Sequence, residues 1–215
     1  SIIGEYHSLN PDKKFLINDK ISFFRNKDLE NFDTNINHKL SELNIDYFNG
    51  LMFHSSSILY KNEKLVTKMF ELKKLGKIKK IGLSIYKNSE IVNVLQKNYQ
   101  LDFVQMPFNV LDNEALRKDV IKMMIDKGIE IHVRSIFLQG LFYMNENCLP
   151  KKLLPLKKYI DKIKMICIEN NHSIDELLMN YPKQKKYVSK IIFGVDNENQ
   201  LIKNIASYNK NITSP

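Results

Sequence analysis

The sequence is poor in the residues that staple small secreted folds and in those that read nucleic acid. Only two of its 215 residues are cysteines. Cys148 and Cys167 stand outside any CxxC or Cys/His spacing, so neither a disulfide framework nor a zinc site is expected, and both are read as packing residues. Arginine is equally scarce, with Arg25, Arg117 and Arg134 the only three, and the remaining basic excess is lysine scattered along helical patterns. The formal charge of +9 therefore reads as solvated lysine on outer helix faces. Phosphate recognition needs a basic stripe interleaved with aromatics, and no nucleic-acid partner is expected. No apolar run approaches the roughly 20 residues of a spanning helix, and residues 1–5 lack the basic-then-apolar layout of a signal peptide. No membrane partner is expected, and the expected location is the cytoplasm. The seven glycines do not cluster, and no GxGxxG follows an apolar run, so an open-sheet dinucleotide site has no support.

What the sequence does have is rhythm. Its 43% hydrophobic and 27% charged content is ordinary for a soluble domain with a real core. Short runs rich in Ile, Val, Phe and Leu predict strands near residues 14–19, 47–53, 79–84, 103–106, 130–133 and 190–195, each followed by helix. Apolar residues at 3- and 4-residue spacing predict helices over 64–75, 89–96, 114–126, 173–180 and 199–205. Gly76 and Gly128 stand where two of these close. About six strand–helix units result, with a longer connection over residues 141–172, and nothing in the composition marks a second domain.

In a parallel barrel, functional groups gather at the C-terminal ends of strands. Lys20 follows the run Phe15-Leu16-Ile17, and His54 follows Leu51-Met52-Phe53. Either one alone reads as a solvated charge or a structural histidine. Gln105 and Asn109 bracket Pro107, where their amides serve a ligand or satisfy loop backbone. His132 and Arg134 are two apart, hence on one side of a strand, and a buried arginine needs a carboxylate or an anionic ligand. Phe193-Gly194-Val195-Asp196 leads into a helix, and a glycine before a helix N-terminus suits the approach of a phosphate.

Six blocks in order resemble the aldo-keto reductases. They are Asn18-Asp19-Lys20; Lys39 to Tyr47 leading to His54; Gly76-Lys77-Ile78-Lys79-Lys80-Ile81-Gly82-Leu83-Ser84; Phe103-Val104-Gln105-Met106-Pro107-Phe108-Asn109; Val133-Arg134-Ser135-Ile136-Phe137-Leu138-Gln139-Gly140; and Phe193-Gly194-Val195-Asp196 with Gln200 to Asn204. The resemblance implies a (β/α)8 barrel with about six of its eight units in this chain. It also implies NAD(P)H-dependent reduction of a small carbonyl compound without metal. Carried over residue by residue, Lys20 matches the lysine that lowers the pKa of a tyrosine proton donor, and His54 matches the histidine that orients the carbonyl oxygen. A phenol of pKa about 10 needs such help near neutrality. Ser84, Gln105 and Asn109 match positions around the nicotinamide carboxamide, and Arg134 a residue whose flat face lies near the ring. Ser135, Phe137, Gln139 and Gly140 match the pyrophosphate border, and Gly194, Val195, Asp196, Gln200 and Asn204 the adenosine end.

Two departures from the family pattern are Ile85, where many relatives carry Asn, and Lys203, where many carry Glu. The family's Asp and Tyr are expected upstream of Ile3-Gly4 and Leu9, which resemble the tail of an early family motif. The chain is thus expected to be an N-terminally incomplete form of a single barrel domain, inactive by itself. "GLSIY", "HVRSIFLQG" and "GVDN" further resemble a bacterial subgroup associated with surface-polysaccharide and nucleotide-sugar pathways, which implies a sugar-like, nucleotide-sugar-derived substrate. Asp196 either favours NADH, by repelling a 2′-phosphate, or caps the following helix. A non-catalytic nicotinamide-binding or scaffolding barrel is the alternative to the enzyme. A lyase or isomerase using Lys20 as a Schiff-base amine leaves Ser84, Gln105 and Asn109 unexplained.

Overall fold

In the computed structural model, which describes residues 1–22, 29–145 and 149–212, the two apolar periods of the sequence become alternating strands and helices. In chain order these are α1 (Ile2–Leu9), β1 (Asn18–Ile21), α2 (Phe32–Glu42), β2 (Phe48–Phe53), α3 (Ser56–Lys61), α4 (Glu63–Lys74), β3 (Ile78–Ser84), α5 (Asn88–Gln96), β4 (Phe103–Pro107), α6 (Glu114–Asp126), β5 (Glu130–Arg134), α7 (Lys157–Glu169), α8 (Ile174–Lys183), β6 (Val188–Ile191) and α9 (Glu198–Asn209). Strands β1 to β4 pair in parallel in chain order, and so do β5 and β6, the α/β pattern expected from the sequence. The chain packs as two units, Ser1–Gln105 with Asp126–Ile129, and Met106–Ile125 with Glu130–Pro215. Among the described residues no helix is long and apolar enough to cross a membrane.

In the first unit the strands pair so that Lys20 lies opposite Met52, Met52 opposite Gly82, and Gly82 opposite Phe103. Side chains alternate faces along a strand, so this row shares one face of the sheet. The other face carries Leu51, Ile81 and Val104, all buried. Helix α4 buries Leu65, Met69 and Leu72, one face at helical spacing. It closes with the N–H of Lys77 donating to the carbonyl of Leu72 and that of Gly76 to Lys73, a double bond pattern that requires the positive φ of 75° at Gly76. Helix α2 closes the same way through Asn44, φ 52°.

The first strand begins later than the apolar run suggested, so Lys20 lies within β1 instead of following it. Phe15 is diverted. Its ring stacks on Tyr6 at 4.9 Å, and its backbone N–H donates to Nε2 of the buried His7 at 2.9 Å, which ties this stretch to α1 instead of the sheet. The last strand also ends earlier than expected, at Ile191; the Ile192 N–H still donates to the carbonyl of Val133, after which the backbone leaves the ladder. In the second unit, β5 and β6 pair with a register shift at Ile131/His132. The core there gathers Leu141, Phe142, Ile160 and Leu178. Cys167 is a buried free thiol packed with Leu177 and Ile212, whereas Cys148 and Arg25 lie outside the described residues.

Gly82 is a residue type dictated by its neighbour. A Cβ there would meet the ring of Phe103 at 2.4 Å, and that ring is fully buried. Gly82→Ala is expected to cost about 2 kcal/mol by overpacking, read as a lower denaturation midpoint, with partial recovery in Gly82→Ala/Phe103→Leu. An unchanged midpoint in the single variant would remove this account of the sheet face.

Candidate active site

Along the sheet face shared by Lys20, Met52, Gly82 and Phe103, two residues further on lie His54, Ser84 and Gln105. His54 follows the last residue of β2, Ser84 ends β3, and Gln105 stands in the middle of β4. Ser84 and Gln105 are buried at 2% and 4% exposure, and buried polar groups need partners. Gln105 has one, since its Oε1 accepts from the Lys20 ammonium at 2.5 Å, which fixes where that cation sits. His54 is exposed; its backbone N–H donates to the carbonyl of Ile21 at 3.1 Å, so its position is held by the ladder while its ring stays accessible. Four sequence-derived candidates thus share one face of the first unit. Ile85, the departure beside them, is fully buried.

The second unit contains a cavity of about 780 Å³, within the range of small-molecule and cofactor sites, about 300–1,000 Å³. Its walls come from the end of β5 (Arg134, Ser135), the segment 136–143, Asp175 of α8, the stretch after β6 (Ile192, Phe193, Gly194, Asp196) and the first turns of α9 (Gln200, Lys203, Asn204). Arg134, Ser135, Phe137, Gln139, Gly140, Gly194, Asp196, Gln200 and Asn204 are brought together here. Val195 is not among the lining residues and is exposed.

The loop between β5 and the cavity floor is unusual in its backbone. Ser135, Leu138 and Gln139 have φ of 60°, 50° and 55°, followed by Gly140 at 79°. Left-handed conformations cost free energy for residues with a Cβ and persist only when their surroundings over-determine them. Asn109, buried at 1% exposure, is one such determinant. Its Oδ1 accepts from the N–H groups of Leu111 and Asp112, both at 2.9 Å, and its Nδ2 donates to the carbonyl of Ser135 at 3.2 Å. Its amide thus bonds loop backbone, one of the two roles open to it from sequence. Phe137 and Phe193 meet edge-on at 6.2 Å and join the walls.

Two cavity groups, Tyr143 and Asp175, have no signature in local sequence, and they converge with Lys203, one of the two departures from the family pattern. Asp175 accepts from the Tyr143 hydroxyl and pairs with Lys203 Nζ at 2.5 Å. Burial, and then the bond to Asp175, pushes the Tyr143 phenol far above its ordinary value. These residues are 32 and 28 positions apart in sequence, so no spacing rule marks them. Asp196 is not the cap of α9. That role belongs to Asn197, whose side chain accepts from the Gln200 N–H at 3.0 Å, while Asp196 contributes only its backbone N–H, to Gln200 Oε1 at 2.8 Å. The cap falls one residue later because the helix starts at Glu198. His132, expected with Arg134 on an interior side, is buried beside Glu130 at 3.3 Å.

A strand-end polar cluster and a loop-walled cavity on parallel α/β architecture are what comparison with known proteins meets. The model of the aldo/keto reductase family matches residues 1–214, and the chain belongs to that family. It is therefore of the oxidoreductase class that acts on carbonyl compounds. The holo form of the aldo-keto reductase AKR11C1 from Bacillus halodurans superposes with a TM-score of 0.78 at 17% identity, covering 99% of this chain and 72% of that one. The apo form gives the same score and identity over 71% of its length. At that identity the likeness shows the fold, that of the barrel reductases. A search of curated protein sequences returned no match.

Removing the Asn109 amide tests whether it shapes the cavity. Asn109→Ala is expected to lose about 2 kcal/mol of stability and to shift the backbone amide resonances of Ser135 to Gly140. Resonances that stay in place would show that the left-handed run is held by other contacts.

Proposed function

We propose that the protein reduces an aldehyde or ketone with NAD(P)H, and that the second-unit cavity holds the cofactor. The observation that carries this reading is that nine of the thirteen cofactor positions suggested by family resemblance line that one cavity. The donor set suits a dinucleotide. Arg134 offers a flat guanidinium, Ser135 a hydroxyl, the run 138–140 backbone in an unusual conformation, and Gln200 and Asn204 amides at the start of α9. When bound, the nicotinamide supplies the hydride for carbonyl reduction.

Lys20 and His54 are the groups of this chain assigned to the carbonyl. The Lys20 ammonium, positioned by Gln105, lowers the pKa of a neighbouring phenol so that it gives up its proton near neutrality. The His54 ring donates a hydrogen bond to the oxygen as negative charge develops there. Ser84 and Gln105 are proposed for the carboxamide end of the cofactor, with Ile85 unable to add an amide. With the cap role taken by Asn197, the Asp196 carboxylate is left to disfavour a 2′-phosphate, and NADH is favoured over NADPH. A sugar-like, nucleotide-sugar-derived carbonyl compound is the proposed substrate class, and the cytoplasm the proposed location.

Fluorescence titration of the full-length protein is expected to show micromolar binding, about −8 kcal/mol, tighter for NADH than for NADPH. Lys20→Met is expected to lower kcat on the order of 100-fold or more while leaving cofactor binding nearly unchanged. Binding of neither cofactor would overturn the reading, and equal loss of turnover and binding would make Lys20 a structural lysine.

A further inference from the structure

Asp175 is the buried carboxylate of the cavity, 6% exposed, in the first turn of α8. Both of its oxygens are engaged. Oδ1 accepts from the Tyr143 hydroxyl, and Oδ2 lies 2.5 Å from Nζ of Lys203, a side chain otherwise 63% exposed. An acid in the first turn of a helix is favoured by the macrodipole. Yet α8 already has the Ser173 cap and the reciprocal Glu176 bond, and neither need explains why a lysine from α9 converges on this carboxylate. The charged residues lining the cavity are Arg134 and Lys203 against Asp175 and Asp196, so their formal charges cancel.

The geometry points to Asp175 as a specificity-determining residue: by holding Lys203 in a close ion pair it withholds that lysine's charge from an incoming phosphate, so the cavity selects a dinucleotide with a free ribose 2′-hydroxyl. The inference rests on the nicotinamide reading above. NADH and NADPH differ by one phosphomonoester, which carries about −1.5 to −2 charges near pH 7. Where the lining charges cancel, that added charge finds no net attraction. With Asp175 neutralised, the lining gains one positive charge within a Debye length, about 8–10 Å, of much of the cavity. The preference then turns toward the phosphorylated cofactor.

The test measures dissociation constants of NADH and NADPH for the full-length protein, for Asp175→Asn and for Asp175→Asn/Lys203→Met. Asparagine keeps the shape and still accepts from Tyr143, but loses the charge. Asp175→Asn is expected to raise NADPH affinity relative to NADH on the order of tenfold, and the double variant to lose that gain. Should Asp175→Asn fail to fold, Asp175→Ser carries the same expectation. An unmoved ratio, or an equal shift in the double variant, overturns the role of Asp175 and leaves the nicotinamide reading standing. Absence of binding by both cofactors to the unmodified protein overturns both.

Discussion

Parallel pairing without slippage from β1 to β4 fixes which residues can act together in the first unit. Lys20, Met52, Gly82 and Phe103 form one row, so every second residue beyond them falls on the same face. A slip of one residue in any pair would send Ser84 or Gln105 to the side occupied by Leu51, Ile81 and Val104. The row below holds its register sterically, because the Phe103 ring fills the space a side chain at position 82 would need. The row above is polar, with Ser84 and Gln105 buried and His54 exposed, and the bond from half-buried Lys20 of the lower row to Gln105 satisfies a buried amide while positioning the cation.

The second unit is built on a different constraint. Its cavity wall includes three non-glycine residues in left-handed conformations, which local sequence does not favour. Contacts remote in sequence meet the same segment. Asn109 donates to the Ser135 carbonyl, the Phe193 ring meets Phe137 edge-on, and Asp175 accepts from the half-exposed Tyr143 hydroxyl. Backbone strain collected at the wall of one cavity, with its support supplied from other elements, is the arrangement expected of a binding site kept in shape before its ligand arrives.

Much of this was legible because it depends on period and order. Helix 114–126 appears with the expected bounds, and Gly76 and Gly128 have the positive φ their positions suggested. The ordered family blocks also anticipated most of the cavity lining. What escaped sequence reading was set by tertiary competition. Phe15 belongs to an apolar run, yet His7 and Tyr6 claim it, which shifts the first strand onto Lys20. Asp196 and Asn197 are equally good caps by type, and only the start of α9 chooses between them. The segment 157–169 lies inside the long connection that the sequence suggests, yet it folds as a helix that buries Ile160 and Cys167. The cluster of Tyr143, Asp175 and Lys203 joins three elements whose convergence no local pattern records.

The central claim is that the second-unit cavity is where the nicotinamide cofactor binds. Hydrogen–deuterium exchange of the full-length protein, with and without saturating NADH, tests it most directly. The account predicts ligand-dependent protection in the segments 134–143 and 192–204. NADH that binds while leaving both segments unprotected, with protection elsewhere in the chain, would contradict it.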